Sequence, residues 1–229
     1  MTTKMAAAAS ESSESSESSE SSESSDLAPS NAIPLTPEDL ARADVYALLA
    51  RLFYAGADAK LLHRIAAAPA FTAQGDDHGF ADAWSVLRTV AASADPAAVS
   101  TEFDAVFIGT GRAPVTPYAS FYLLTIGREK VVVALRDELA ALGLARTASA
   151  NEPEDHVAAL MDVMRHLVLA GSNVASLERQ RDFFRRYLER SMPSLCRAVD
   201  DCVGADFYRS VAALARTFIL IETQGLLMV

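Results

Sequence analysis

The chain has 229 residues and a net charge of −10, and its first acidic stretch, Ser10 to Asp26, is a serine–glutamate repeat. An acidic chain lacks the basic face that phosphate-backbone binding requires, which excludes nucleic acid as a partner. Two cysteines, Cys196 and Cys202, supply neither a disulfide framework nor zinc spacing, and read as reduced helical thiols of a cytosolic protein.

The repeat has almost nothing to bury, so residues 1–34 are expected to form a disordered tail and residues 35–229 a single domain. The repeat lacks the basic start and apolar stretch of a signal peptide, and no apolar run approaches the roughly 20 residues that span a bilayer. No membrane insertion is therefore expected.

Thr36-Pro37-Glu38-Asp39 is a helix start, with a threonine cap, a proline and then acids. Val45, Leu48, Leu49, Leu52 and Phe53 continue it as a helical stripe up to Gly56. A short helix covers Leu61 to Ala67, and Gln74 to Gly79 is a polar loop. Phe80, Trp84 and Leu87 mark a further helix, and Asp95-Pro96 starts the one carrying Val99, Phe103, Val106 and Phe107. Gly109 to Pro117 is a loop. A helix is expected from about Tyr118 to Leu142, with a break near Gly127 and Gly143 at its C-terminal end. Val131-Val132-Val133 fits a strand locally, but Leu135, Leu139 and Leu142 continue a helical phase. Another helix spans Asn173 to Arg190, Pro193 begins a short one, and Phe207, Val211, Leu214, Phe218 and Ile221 define the last. No strand pair emerges, so the fold class is all-α, a single-domain helical bundle.

The stretch Asn151-Glu152-Pro153-Glu154-Asp155-His156 opens an apolar run with Val157, Leu160, Met161 and Met164. Pro153 suits the first helical position, and Glu154 and Asp155 the first turn, where the helix dipole favours carboxylates. On that reading Asp155 and His156 are presented at an exposed helix start. Replacing both would then cost only about 1 kcal/mol of folding energy, as cap and dipole losses.

This hexapeptide resembles the signature of the TorD/DmsD family of chaperones. Phe107-Ile108-Gly109-Thr110-Gly111 followed by Thr116-Pro117-Tyr118-Ala119-Ser120-Phe121-Tyr122-Leu123 is similar to the same family's loop. Val45 to Tyr54 resembles its first helix. Phe207-Tyr208-Arg209 with Leu214-Ala215-Arg216 resembles its last. Where relatives often carry tryptophan in the loop, this chain has Tyr118 and Tyr122, and the Ser/Glu tail is no family feature.

The resemblance implies a cytoplasmic chaperone with no enzyme activity. Its client is a molybdopterin-dependent oxidoreductase. The chaperone binds the twin-arginine signal peptide and the apo-form of the catalytic subunit, delays export and assists cofactor insertion. It binds no cofactor itself, the molybdenum cofactor belonging to the client, and it is a monomer or a helix-swapped homodimer. The Asp-His pair is implied in client binding. Bidentate carboxylate–guanidinium pairing gives the acids a physical role, and tyrosines four apart on one helix face suit an apolar groove. The candidate client site is Glu152, Pro153, Glu154, Asp155, His156, Pro117, Tyr118, Ser120, Tyr122 and Phe103.

The rival readings are a small helical hydrolase or nucleotide-binding enzyme using Asp155, His156 and Ser120, and a helical adaptor without an export client. Ser120 is not on a glycine-flanked strand–turn–helix elbow. Gly109-x-Gly111 lacks the third glycine and the Lys-Ser/Thr of a phosphate loop. No metal site is expected from His63, His78, His156 and His166, whose spacings pair none of them. Arg179, Arg181, Arg185, Arg186 and Arg190 read as a solvated helix face interleaved with acids.

Overall fold

The computed structural model describes residues 6–7, 34–71, 78–109, 111–146 and 152–228. The tail expected over 1–34 lies almost wholly outside the described residues, as does most of the Gln74 to Gly79 loop. The architecture is a helical bundle. In chain order its helices are α1 (Pro37–Tyr54), α2 (Ala59–Ala67), α3 (His78–Ser93) and α4 (Pro96–Phe103), the last running into a π-helical turn at Asp104–Ile108. There follow α5 (Ala119–Leu123), α6 (Arg128–Ala141), α7 (Val157–Leu169) and α8 (Val174–Phe183). A second π-helical turn, Phe184–Leu188, joins α8 to α9 (Glu189–Asp200), and α10 (Asp206–Leu227) ends the fold.

Local chemistry sets several of these boundaries. Thr36 and Asp39 form a reciprocal capping box, each side chain accepting from the other's backbone N–H at 3.1 Å. Asp58, Asp95 and Asn173 cap α2, α4 and α8 one way, each side chain accepting from backbone N–H groups of the first turn. The break expected near Gly127 is present: Gly127 has φ 75° and precedes α6, a conformation that suits glycine. Val131–Val133 lies inside α6, as the leucine phase required.

Two expectations are corrected. Pro193 does not begin a helix but sits inside α9, where Met192, Leu195, Cys196 and Val199 keep the buried phase. Pro193 itself is exposed, so its ring is kept off the buried face of α9. A strand pair also exists: β1 (Ala6–Ala7) lies antiparallel to β2 (Leu144–Ala145), with Ala6 opposite Ala145 and Ala7 opposite Leu144.

The core centres on α7. Nine of its thirteen residues are buried, and it packs along α1 in the most extensive helix pair of the fold. A second core element is α10, against α3, α4 and α9. By length and composition α10 would cross a membrane, but half of its apolar window is buried in the bundle. It also carries Glu222, 2 % exposed, which takes a bidentate grip from Arg42 (2.7 and 2.9 Å) and a bond from the Tyr46 hydroxyl (2.7 Å). This is the pattern of a core helix with one satisfied buried charge.

Glu102 on α4 caps the start of α10 from outside, accepting from the N–H groups of Phe207 (3.0 Å) and Tyr208 (2.8 Å). Those donors have no intrahelical partner, and the carboxylate also meets the positive end of the helix dipole. Glu102→Ala is expected to lower stability by about 1–2 kcal/mol. Urea denaturation checks this, an unchanged midpoint meaning that water replaces the cap at no cost.

Candidate functional site

Pro153 opens a tight turn, not a helix. The His156 N–H donates to the Pro153 carbonyl at 3.1 Å, and α7 starts only at Val157. His156 is the cap, with extended backbone (φ −61°, ψ 130°) and its Nδ1 accepting from the Ala158 N–H at 3.2 Å. The expected helix start is therefore four residues early. An extended contact with a distant loop holds the chain out of the helix at that point.

That contact pairs Tyr118 with His156 as an antiparallel bridge. The Val157 N–H donates to the Pro117 carbonyl and the Ala119 N–H to the Asp155 carbonyl, each at 2.9 Å. The Asp155 carboxylate accepts from the Ser120 N–H at 3.3 Å. Tyr118 occupies the cap position of α5 without a side-chain cap of its own, and Asp155 supplies that cap from across the bridge. Tyr118 is thus extended and precedes its helix, so it does not share a helical face with Tyr122.

Asp155 and His156 are 3 % and 4 % exposed, which overturns the exposed helix end read from the sequence. The imidazole packs edge-on against Tyr54 of α1 and Tyr118, at centroid distances of 6.1 and 5.4 Å. Burial drives its pKa down to about 4, against the opposing pull of Glu152 and Asp155, so it is neutral near pH 7. With Nδ1 engaged by the Ala158 N–H, the neutral ring carries its proton on Nε2. It has no free lone pair with which to deprotonate Ser120, so the hydrolase reading loses its base.

The remaining acids, Glu152 and Glu154, are half-buried beneath side-chain partners of their own. The Glu152 carboxylate accepts from the Tyr118 hydroxyl at 2.6 Å, and burial together with this bond holds the phenol well above its ordinary pKa. Glu154 is burdened by partial burial, but Arg136 of α6 more than offsets it with paired bonds of 2.9 and 3.1 Å and brings the carboxyl pKa down. Arg146 donates to the Glu152 carbonyl at 3.3 Å and lies 4.0 Å from Glu154. The turn therefore presents a Tyr–Glu pair beside a carboxylate already gripped by a guanidinium.

The structure unites Glu152, Pro153, Glu154, Asp155, His156, Pro117, Tyr118 and Ser120. Tyr122 lies on α5, half-buried, its phenol pushed up to about 12 by burial. Phe103 belongs instead to an aromatic cluster with Phe107 and Tyr208, at 5.3 and 5.6 Å. Arg136, Arg146 and Tyr54 were missed as site residues. Only Tyr54 lay in a segment singled out by the sequence, the VYALLARLFY helix.

An apolar groove also lies away from Tyr118 and Tyr122, the residues expected to line one. A groove of about 540 Å³ lies between α1, α2 and α3, lined by Val45, Leu48, Ile65, Phe71, Phe80 and Trp84. Arg51, one turn of α1 before Tyr54, the residue that touches His156, also lines it. Among the described residues no cluster of His, Cys, Asp or Glu could hold a metal ion.

An all-helical bundle whose central helix is capped by a buried Asp-His turn matches the class that the sequence motifs resembled. Residues 73–197 match the family described as nitrate reductase delta subunit, more than half of the chain, and the chain belongs to that family. Curated relatives bear the name Chaperone protein TorD. That of Vibrio cholerae serotype O1 is 27 % identical over 129 residues, 53 % of this chain and 59 % of the relative. That of Shewanella loihica is 25 % identical over 211 residues, 85 % of this chain and 97 % of the relative. The chain thus spans about three-fifths of the Vibrio relative's length in that match and nearly all of the Shewanella relative's.

Because His156 is buried, His156→Ala is expected to cost about 2–4 kcal/mol, from the cavity and the lost cap together. The pH dependence has a definite sign. The folded pKa of about 4 lies below the ordinary 6.5, so between these values the unfolded chain binds more protons. Stability contributed by the neutral ring is complete above pH 6.5 and falls as pH drops toward 4, by about 3 kcal/mol in all. Chemical denaturation from pH 7 to 4 measures this, and in His156→Ala that part of the slope should vanish.

Proposed function

We propose that this chain is a cytoplasmic maturation chaperone that binds the twin-arginine signal peptide and apo-form of a molybdopterin-dependent oxidoreductase. In this role it delays export while the client receives its molybdenum cofactor, and it holds no cofactor of its own. The observation that carries the reading is the arrangement of Glu154 and Arg136. Glu154 already takes a guanidinium in bidentate geometry, with Glu152 next to it. A client arginine exchanging with Arg136 keeps the same two bonds, and a second finds Glu152. The apolar segment that follows an arginine pair then fits the groove along α1, whose near end is one helical turn from Tyr54. Family membership and the TorD relatives support the same class of client.

The chain's single tryptophan, Trp84, lines that groove and reports on its occupancy. Titration with a twin-arginine signal peptide should shift Trp84 emission to the blue. Glu154→Gln should weaken binding by about 1–3 kcal/mol, the range for hydrogen bonds to charged groups. Arg136→Ala, which frees Glu154, should strengthen it. Binding that is indifferent to both substitutions and leaves Trp84 emission unmoved, measured with peptides from several clients, would remove this site from the signal-peptide role.

A further inference from the structure

The two acids of the turn differ in what they can offer a cation. Glu154 meets Arg136 with both oxygens: Nε donates to Oε1 at 2.9 Å and Nη2 to Oε2 at 3.1 Å. This parallel fork suits a planar guanidinium, whose donors sit on separate nitrogens at a fixed spacing. A lysine ammonium carries all its donors on one nitrogen and cannot repeat the fork. The Arg136 side chain is 57 % exposed against 10 % for Glu154. The guanidinium is therefore the outer member of the pair, and its departure opens the carboxylate to another cation.

Glu152 is arranged otherwise. Its Oε2 accepts from the Tyr118 hydroxyl at 2.6 Å, and no described residue donates to its Oε1. The Tyr118 ring sits edge-on to the buried His156, with centroids 5.4 Å apart, so the core holds that hydroxyl in place. With one oxygen taken, the fork is closed to any cation, and guanidinium and ammonium alike must bind Oε1 through a single bond. Arg146, the other guanidinium at the turn, donates to the Glu152 backbone carbonyl at 3.3 Å and leaves Oε1 open.

We infer that the turn reads an arginine pair asymmetrically: Glu154 requires arginine at one position, while Tyr118, by occupying one Glu152 oxygen, sets the other position to accept arginine or lysine. The inference rests on the signal-peptide reading and makes Tyr118 the residue that decides specificity at the tolerant position.

The test uses the full chain and calorimetry. Signal peptides of several molybdoenzymes are synthesised with Arg-Arg, Lys-Arg or Arg-Lys at the pair and otherwise unchanged. One single-lysine peptide should bind about tenfold more weakly than its twin-arginine parent, and the other within about twofold of it. In Glu154→Gln the difference between the two single-lysine peptides should disappear. Tyr118→Phe keeps the ring against His156 and frees the second Glu152 oxygen, so the tolerant position should acquire a preference for arginine of about tenfold. Equal affinity of wild type for the two single-lysine peptides overturns the inference and leaves the signal-peptide reading in place. So does a Tyr118→Phe variant that binds the twin-arginine peptide yet still accepts lysine. If no twin-arginine peptide binds wild type, the signal-peptide reading falls and the inference falls with it.

Discussion

Everything at the site depends on one short antiparallel contact, between the loop at Pro117–Ser120 and the turn at Asp155–Val157. Three backbone donors are satisfied across it: Val157 to Pro117, Ala119 to Asp155, and Ser120 to the Asp155 carboxylate. The contact does two structural jobs at once. It gives α5 a cap that Tyr118 does not provide, and it fixes where α7 begins. Since α7 is the most buried helix among those that border the site, its first residue is positioned by the core, and the loop is positioned by that residue. Breaking the bridge would leave several buried backbone groups unpaired, each costing on the order of 1–3 kcal/mol.

The contact also divides labour within the signature. Asp155 and His156 are spent on the inside, one as a cap across the bridge and the other as the cap of α7 wedged between two tyrosines. Glu152 and Glu154 lie nearer the surface, half-buried, with the Tyr118 hydroxyl and Arg136 as their present partners. Asp155 and His156 therefore act on the surface of the site from the inside, by fixing the turn that carries Glu152 and Glu154. Removal of the pair would let the Glu152 and Glu154 carboxylates lose their mutual geometry.

Much of the fold was legible because local signals agreed with the core. The Thr36–Asp39 box, the Asp95-Pro96 start and the Asn173 cap each stand where sequence chemistry puts a helix start. The failures have a common cause, tertiary contact overriding local preference. Pro153 followed by two acids is a sound helix start in isolation, yet the bridge to Tyr118 keeps those residues extended or turned. Pro193 suggests a start, yet its exposed position lets α9 run through it. Burial of His156 was equally invisible, because its packing partners Tyr54 and Tyr118 are remote in sequence. Arg136 carries no local signal at all, being one of several charged residues on α6, and only the folded chain brings it to Glu154.

The central claim is that His156 is a buried, neutral cap that locks the turn at the start of α7. Nuclear magnetic resonance of the His156 ring nitrogens through a pH titration tests it most directly. The account predicts a neutral ring protonated on Nε2, titrating only near pH 4. A ring that titrates close to 6.5, or one that carries its neutral proton on Nδ1, would contradict it.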